Sequence, residues 1–183
     1  MGVMSSETQP QNASGDAHRE APLRGDVLFR SHRPGDMGWV VQRHGEVYHE
    51  LRAWDATFEA LVAEISARFL RNFDPASDRS WIAEVDGRRA GSCFLARHDE
   101  VTGQLRMLLV EPWARGRGIG RQLVAECVTH ARKLGYRRMV LYTSKGLDSA
   151  RRLYEAEGFR MIEETPRHEW GADHVEQWWE LTL

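Results

Sequence analysis

The sequence predicts an α/β protein with one mixed, mostly antiparallel central sheet flanked by helices. Two observations carry that prediction. The spacing of apolar residues switches repeatedly between the 3.6-residue period of helices and the two-residue period of strands. A glycine-rich turn also joins an apolar run to an amphipathic helix, a junction common in α/β folds. The 183 residues, 42% of them hydrophobic, suffice for one domain of ordinary size.

The first 22 residues, MGVMSSETQPQNASGDAHREAP, are rich in Ser, Gln, Asn, Gly and Pro. They cannot bury enough surface to offset the entropy of ordering them, so they are expected to form a flexible tail before a domain spanning 23–183. The tail satisfies the Met-Gly-x-x-x-Ser myristoylation pattern through Gly2 and Ser6, but no polybasic partner lies nearby and chance explains the match better.

Val27, Leu28 and Phe29 suggest a short strand, and Met37, Val40, Val41, His44, Val47, Tyr48 and Leu51 then recur at helical spacing. Phe58, Leu61, Val62, Ile65 and Phe69 mark a second amphipathic helix. Trp81, Ala83 and Val85 alternate into Asp86-Gly87, a type I′ hairpin signal, and 89–97 runs back as the partner strand. Another strand is expected over 104–110. Ile119, Leu123, Cys127, Ala131 and Leu134 form one helix face closed by Gly135, a plausible C-cap. A strand at 138–143, a helix at 148–157 ended by Gly158, a strand at 159–165 and a final alternating strand through Leu183 complete the order β-α-α-β-β-β-α-β-α-β-β.

Composition excludes several functions. Lys plus Arg number 25 and Asp plus Glu 27, a net charge of −2, so the whole chain has no electrostatic pull toward nucleic acid. No apolar run is long enough to span a membrane and the first 22 residues hold no apolar signal-peptide core, so a cytoplasmic protein is expected. Cys93 and Cys127 lie in separate apolar segments, with neither disulfide density nor metal-ligand spacing, and should be reduced and buried.

Residues 110–124, VEPWARGRGIGRQLV, fall where a strand hands over to a helix. A helix N-terminus presents unpaired N–H groups and partial positive charge, and glycines let a phosphate approach them closely. Arg115, Arg117 and Arg121 add guanidinium donors among Gly116, Gly118, Ile119 and Gly120, so the loop is suited to a phosphorylated ligand. A P-loop would need Gly-Lys-Ser/Thr, and a dinucleotide motif would place the third glycine one residue later. A tight turn alone would explain the glycines but not the three arginines.

Arg115-x-x-Gly118-x-Gly120 after an apolar strand resembles the signature of the GCN5-related N-acetyltransferase (GNAT) family, and SARRLYEAEGF at 149–159 resembles that family's helix ending in Leu-Tyr-x-x-x-Gly-Phe. The likeness covers most of 22–183 and is strongest over 104–159. The ending RHEWGADHVEQWWELTL is also similar to the acetyltransferase half of bacterial proteins fused to a MarR-type regulator, although the 22-residue tail is too short for a DNA-binding half.

The resemblance implies the acyl-CoA N-acyltransferase fold and acetyl-CoA as cosubstrate, its pyrophosphate held by the backbone amides of the Arg115–Arg121 loop. It implies that the backbone of Leu109 and Val110 pairs with the pantetheine arm and polarises the acetyl carbonyl, where this strand splays from the strand at 138–143. Tyr154 would protonate the departing thiolate; simple packing is the plain alternative for this tyrosine. The family often has Asn where this chain has Asp148, which accepts but does not donate when ionised and could instead cap its helix. Glu84 and Glu111 are candidate general bases, or ordinary surface carboxylates with water as the base.

The acceptor wall would draw on Tyr48, Trp54, His168, Trp170 and His174, aromatics that would also suit a core or a homodimer seam. His168 and His174 show no zinc pattern with cysteine, so no metal is expected. Two functions follow: N-acetyl transfer to a primary amine of a small molecule or protein by direct attack in a ternary complex, or a catalytically silent acyl-CoA-binding module that regulates a partner. Tyr154 favours the first.

Overall fold

The Asp86-Gly87 turn is closed by positive φ at both central residues, 50° and 75°. That backbone twist matches the flanking strands, so β2 (Arg79–Val85) and β3 (Arg88–Arg97) form a hairpin with Val85 opposite Arg88. These elements belong to a computed structural model that describes residues 25–183. The expected tail and the myristoylation pattern at Gly2 and Ser6 lie outside the described residues.

The remaining strands are β1 (Val27–Arg30), β4 (Thr102–Val110), β5 (Arg138–Ser144), β6 (Arg160–Glu169) and β7 (Ala172–Thr182). They make one sheet in the order β1-β2-β3-β4-β5-β7-β6, antiparallel throughout except for the parallel pair β4–β5. The expected mixed, mostly antiparallel sheet is what forms, and the order of helices and strands matches. A 3₁₀ turn at Pro112–Ala114 is additional.

Strand alternation divides the core between the two faces. Ile82 and Phe94 meet α1 (Asp36–Arg52) and α2 (Ala56–Asn72), while Ala83, Cys93 and Leu95 meet α3 (Ile119–Lys133). α4 (Asp148–Ala156) packs on the α3 side through Tyr154. Ile82, Phe94 and Leu123 are fully buried, each worth roughly 1.5–3 kcal/mol relative to exposure. Both cysteines are buried and free. Among the described residues no helix is long and apolar enough to cross a membrane.

Local signals set the boundaries. Asp55 caps α2, its carboxylate accepting the Thr57 N–H at 2.9 Å. At the end of α4 the N–H of Phe159 reaches the Tyr154 carbonyl at 3.0 Å and the N–H of Gly158 reaches that of Glu155 at 3.0 Å. This is a Schellman closure, and Gly158 supplies the required φ of 95°. The Tyr-x-x-x-Gly-Phe spacing is thus the stop signal of the helix that carries Tyr154.

β6 extends past the expected Thr165 to Glu169. Its sequence, RMIEETPRHE, has little apolar alternation because the strand is exposed almost throughout, so its length is set by pairing with β7. β4 holds the feature that shapes the site. Ser92 is opposite Leu109 and Phe94 opposite Arg106, so two steps along β3 face three along β4. The extra residue is a β-bulge at which Met107 adopts φ 53°.

Candidate active site

β4 and β5 pair only as far as Leu105 opposite Leu141. Beyond that point β3 carries β4 on to Val110 and β7 carries β5 on to Ser144, and the two strands part. A bulge bends the strand that contains it, and the one at Met107 lies two residues past the last pair. The fork opens a cavity of about 270 Å³. His44, Tyr48, Trp54 and Phe58 line it from α1, α2 and their connection, 104–108 from β4, 142–144 from β5, and Leu147 and Tyr154 from the opposite face.

The glycine-rich loop follows β4 directly. Gly116 and Gly118 have φ of 78° and 77°, and the first bond of α3 runs from the Gln122 N–H to the Gly118 carbonyl at 3.0 Å. The N–H groups of Ile119, Gly120 and Arg121 therefore have no carbonyl one turn back to receive them, which is the electronic basis of anion binding. Arg115, Arg117 and Arg121 are exposed around them.

Residues 43–159 match the sequence model of the Acetyltransferase (GNAT) family. The chain belongs to the GNAT acetyltransferase family.

This GNAT chain is 33% identical over 144 residues to a mycothiol acetyltransferase of Thermomonospora curvata, covering 76% of the chain and 46% of that relative. It is 38% identical over 159 residues to a mycothiol acetyltransferase of Beutenbergia cavernae, covering 84% and 52%. The chain therefore spans about half the length of these curated relatives. The crystal structure of a GNAT family acetyltransferase from Elizabethkingia anophelis with acetyl-CoA bound superimposes with a TM-score of 0.59 at 18% identity, covering 86% of this chain and 98% of that one. None of the three is named as a MarR fusion.

Tyr154 of this GNAT chain is buried and lines the cavity, its ring 6.1 Å from that of Phe159. Among the described residues nothing hydrogen-bonds its hydroxyl. Burial, followed by the neighbouring Tyr48, pushes the phenol well above its ordinary value near 10. It is thus a neutral O–H donor at any working pH. Leu109 and Val110 pair with Ser92 and Gly91 of β3, leaving the edge toward β5 without a strand partner.

Asp148 does not cap α4. It is the first helical residue, after the cap position Leu147, and its exposed carboxylate lies 3.6 Å from Arg151. An acidic group there complements the helix dipole without making a cap bond.

The two candidate bases lie off the cavity, and each is held by an arginine. Glu84 accepts from Arg30 at 2.6 and 2.8 Å, and Arg30 also binds Asp36. Glu111 accepts from Arg43 at 2.6 and 2.9 Å. Each carboxylate is committed to stitching α1 or its N-terminal approach to the sheet, so both residues leave the group that faces the fork.

Of the expected acceptor residues, Tyr48 and Trp54 line the cavity, stacked at 5.1 Å with planes 5° apart. Trp170 and His174 back them from the β6–β7 hairpin: Trp170 is 4.4 Å from Trp54, and His174 stacks on Trp170 at 4.6 Å. Both ring nitrogens of His174 are buried without a hydrogen bond among the described residues. His168 is exposed and paired with Asp173 at 2.6 Å, outside the cluster.

Among the lining residues that the sequence reading does not assign to the site are His44 and Arg106. His44 counts there as one position of an apolar helix face, yet its Nδ1–H donates to the Val40 carbonyl at 2.8 Å, and burial lowers its pKa to about 4. It faces the cavity as a neutral imidazole. Arg106 lies in QLRMLLV, where alternation with Leu105 puts it on the same side as Gln104. A charged residue inside an apolar strand is the signal that could have found it.

Proposed function

We propose that this chain is an N-acetyltransferase that moves an acetyl group from acetyl-CoA to a primary amine by direct attack in a ternary complex. The observation that carries the reading is Tyr154, an unpartnered buried hydroxyl opening on the β4–β5 fork beside a glycine-rich helix N-terminus. The mycothiol acetyltransferase relatives and the acetyl-CoA-bound neighbour support the same donor chemistry.

Acetyl-CoA supplies the activated thioester. The main-chain N–H groups of the Arg115–Arg121 loop hold its phosphates, with the arginine side chains secondary. The edge of Leu109 and Val110 that has no strand partner, where the Val110 carbonyl accepts from the Arg115 side chain, pairs with the pantetheine arm and orients the acetyl carbonyl at the fork. Tyr48 and Trp54 wall the acceptor side, and water removes the amine proton, since both candidate glutamates are engaged elsewhere.

Tyr154 then donates its proton to the sulfur. From a phenol near 10 to a thiol near 8.5, this transfer is uphill by about 2 kcal/mol in water. A thiolate generated in the same dry fork is destabilised as well, so the proton moves as the C–S bond breaks rather than before it. The same reading places the chain in the cytoplasm, with a domain over 23–183. The exposed outer strand β6, with Met161 and Ile162, would be the surface for a homodimer.

Tyr154→Phe tests the assignment because it keeps the ring and removes the proton. Acetyl-CoA affinity should persist while kcat on an accepted amine falls roughly 10²-fold or more, the scale of a positioned acid. Wild-type turnover in the Phe variant would eliminate Tyr154 as the acid. Tight acetyl-CoA binding by the wild type without CoA release across a broad amine panel would favour the silent module.

A further inference from the structure

Arg106 lines the cavity from the middle of β4. It pairs across the sheet with Phe94, whose ring stacks on Phe69 of α2 at 4.7 Å, so it lies on the α1/α2 side of the fork. Arg30 and Arg43 each hold a buried carboxylate, but among the described residues none lies within ion-pair distance of Arg106. The exposed Arg68 of α2 adds only like charge. Burial and that neighbour together hold its guanidinium below the usual arginine range.

A partly desolvated cation without a counter-ion is unfavourable until an anion arrives. Glu111, the buried carboxylate after β4, is already taken by Arg43. The Gln104 side chain, on the same face of β4, lines the cavity too, and no hydrogen bond among the described residues holds it. This wall has donors and no internal counter-ion.

We infer that the acetyl acceptor carries a carboxylate as well as its amine, and that Arg106 receives that carboxylate on the α1/α2 side of the fork. The inference rests on the acetyltransferase reading above. A guanidinium offers two parallel N–H groups to the two carboxylate oxygens, fixing the acceptor's orientation as well as its charge. A small amino-acid-like molecule anchored there can extend its amine toward the fork. A monoanionic carboxylate suits a small, mostly apolar cavity better than a phosphate dianion, whose desolvation costs more.

The test uses α-amino acids and, for each, the matching α-amide, read in two ways: kcat/KM by CoA release, and melting-temperature shift of the acetyl-CoA-loaded protein. The wild type should favour the carboxylate member by roughly tenfold to a hundredfold, the scale of one charge-assisted contact. Arg106→Met should abolish the preference and Arg106→Lys should keep part of it.

Equal use of acid and amide by the wild type, or a preference that survives Arg106→Met, overturns the inference. So does loss of acetyl-CoA affinity in Arg106→Met, which would assign the arginine to the donor. If Arg106→Met fails to fold, Arg106→Lys and Arg106→Gln decide alone: an undiminished preference in both overturns the inference. A carboxylate-specific, Arg106-dependent melting shift without turnover on any amine upholds the anion site while rejecting the acetyltransferase reading.

Discussion

The Ser92 hydroxyl of β3 donates to the Met107 carbonyl of β4 across 2.7 Å, and Met107 is the residue with φ 53° in the bulge. A non-glycine residue in that region is held there by its surroundings, at a cost of order 1–3 kcal/mol. Ser92 is fully buried, so this contact is one of the restraints that keeps the bulge, and with it the fork, in place.

Ser92→Ala should therefore destabilise the protein by about 1–2 kcal/mol through an unsatisfied carbonyl. It should also lower kcat more than it lowers acetyl-CoA affinity, because the loop after β4 is untouched. Urea unfolding with a calorimetric titration separates the two effects, and an unchanged kcat would remove the bulge from any role in the fork.

Arg43 and Glu111 give an asymmetric prediction. The Glu111 side chain is only 5% exposed, whereas that of Arg43 is 25% exposed and also contacts Glu46. Arg43→Met strands a buried carboxylate and should cost about 2–3 kcal/mol, below the 3–5 of a fully buried pair because water reaches Arg43. Glu111→Gln leaves Arg43 with Glu46 and should cost less, and the double variant should be more stable than Arg43→Met alone. Additive losses in denaturant melts would show that the two residues do not interact.

At Gly118 a Cβ would meet no atom within 4 Å, so a side chain there is opposed by its φ of 77° rather than by a clash. Gly118→Asp should fold with a loss of about 1–2 kcal/mol. Its carboxylate faces the helix N-terminus proposed for the phosphates, so acetyl-CoA affinity should fall at least tenfold. Unchanged binding in a folded variant would refute that placement.

His44 sets a pH dependence. Its pKa near 4 when folded lies below an unfolded value near 6.5, so the unfolded chain binds more protons between those limits. The stability is whole above pH 6.5 and falls as pH drops toward 4, by about 3 kcal/mol for this group. His44→Gln, lower in stability at pH 7.5, should show a shallower loss over that window; an identical slope in chemical denaturation would assign the dependence to other groups.

Local chemistry is legible in the sequence wherever one residue type has few alternatives. Asp86-Gly87 announces its turn because both positions need positive φ, Gly158 announces the end of α4, and the alternate glycines of residues 116–120 announce a bare helix N-terminus. The α/β order follows from such signals together with hydrophobic period, and the family resemblance from the motifs at 115–120 and 149–159.

What needed the tertiary structure was each pairing of distant residues. Glu84 and Glu111 read as free carboxylates until Arg30, 54 residues away, and Arg43, 68 residues away, are seen to occupy them. His168 and His174 look alike in sequence, yet one meets solvent and the other a tryptophan stack. The Met107 bulge is invisible in QLRMLLV because an extra residue exists only relative to the partner strand. Periodicity reports which face a side chain takes, a property of its own backbone, whereas burial, ion pairing and register depend on what another segment brings to that face.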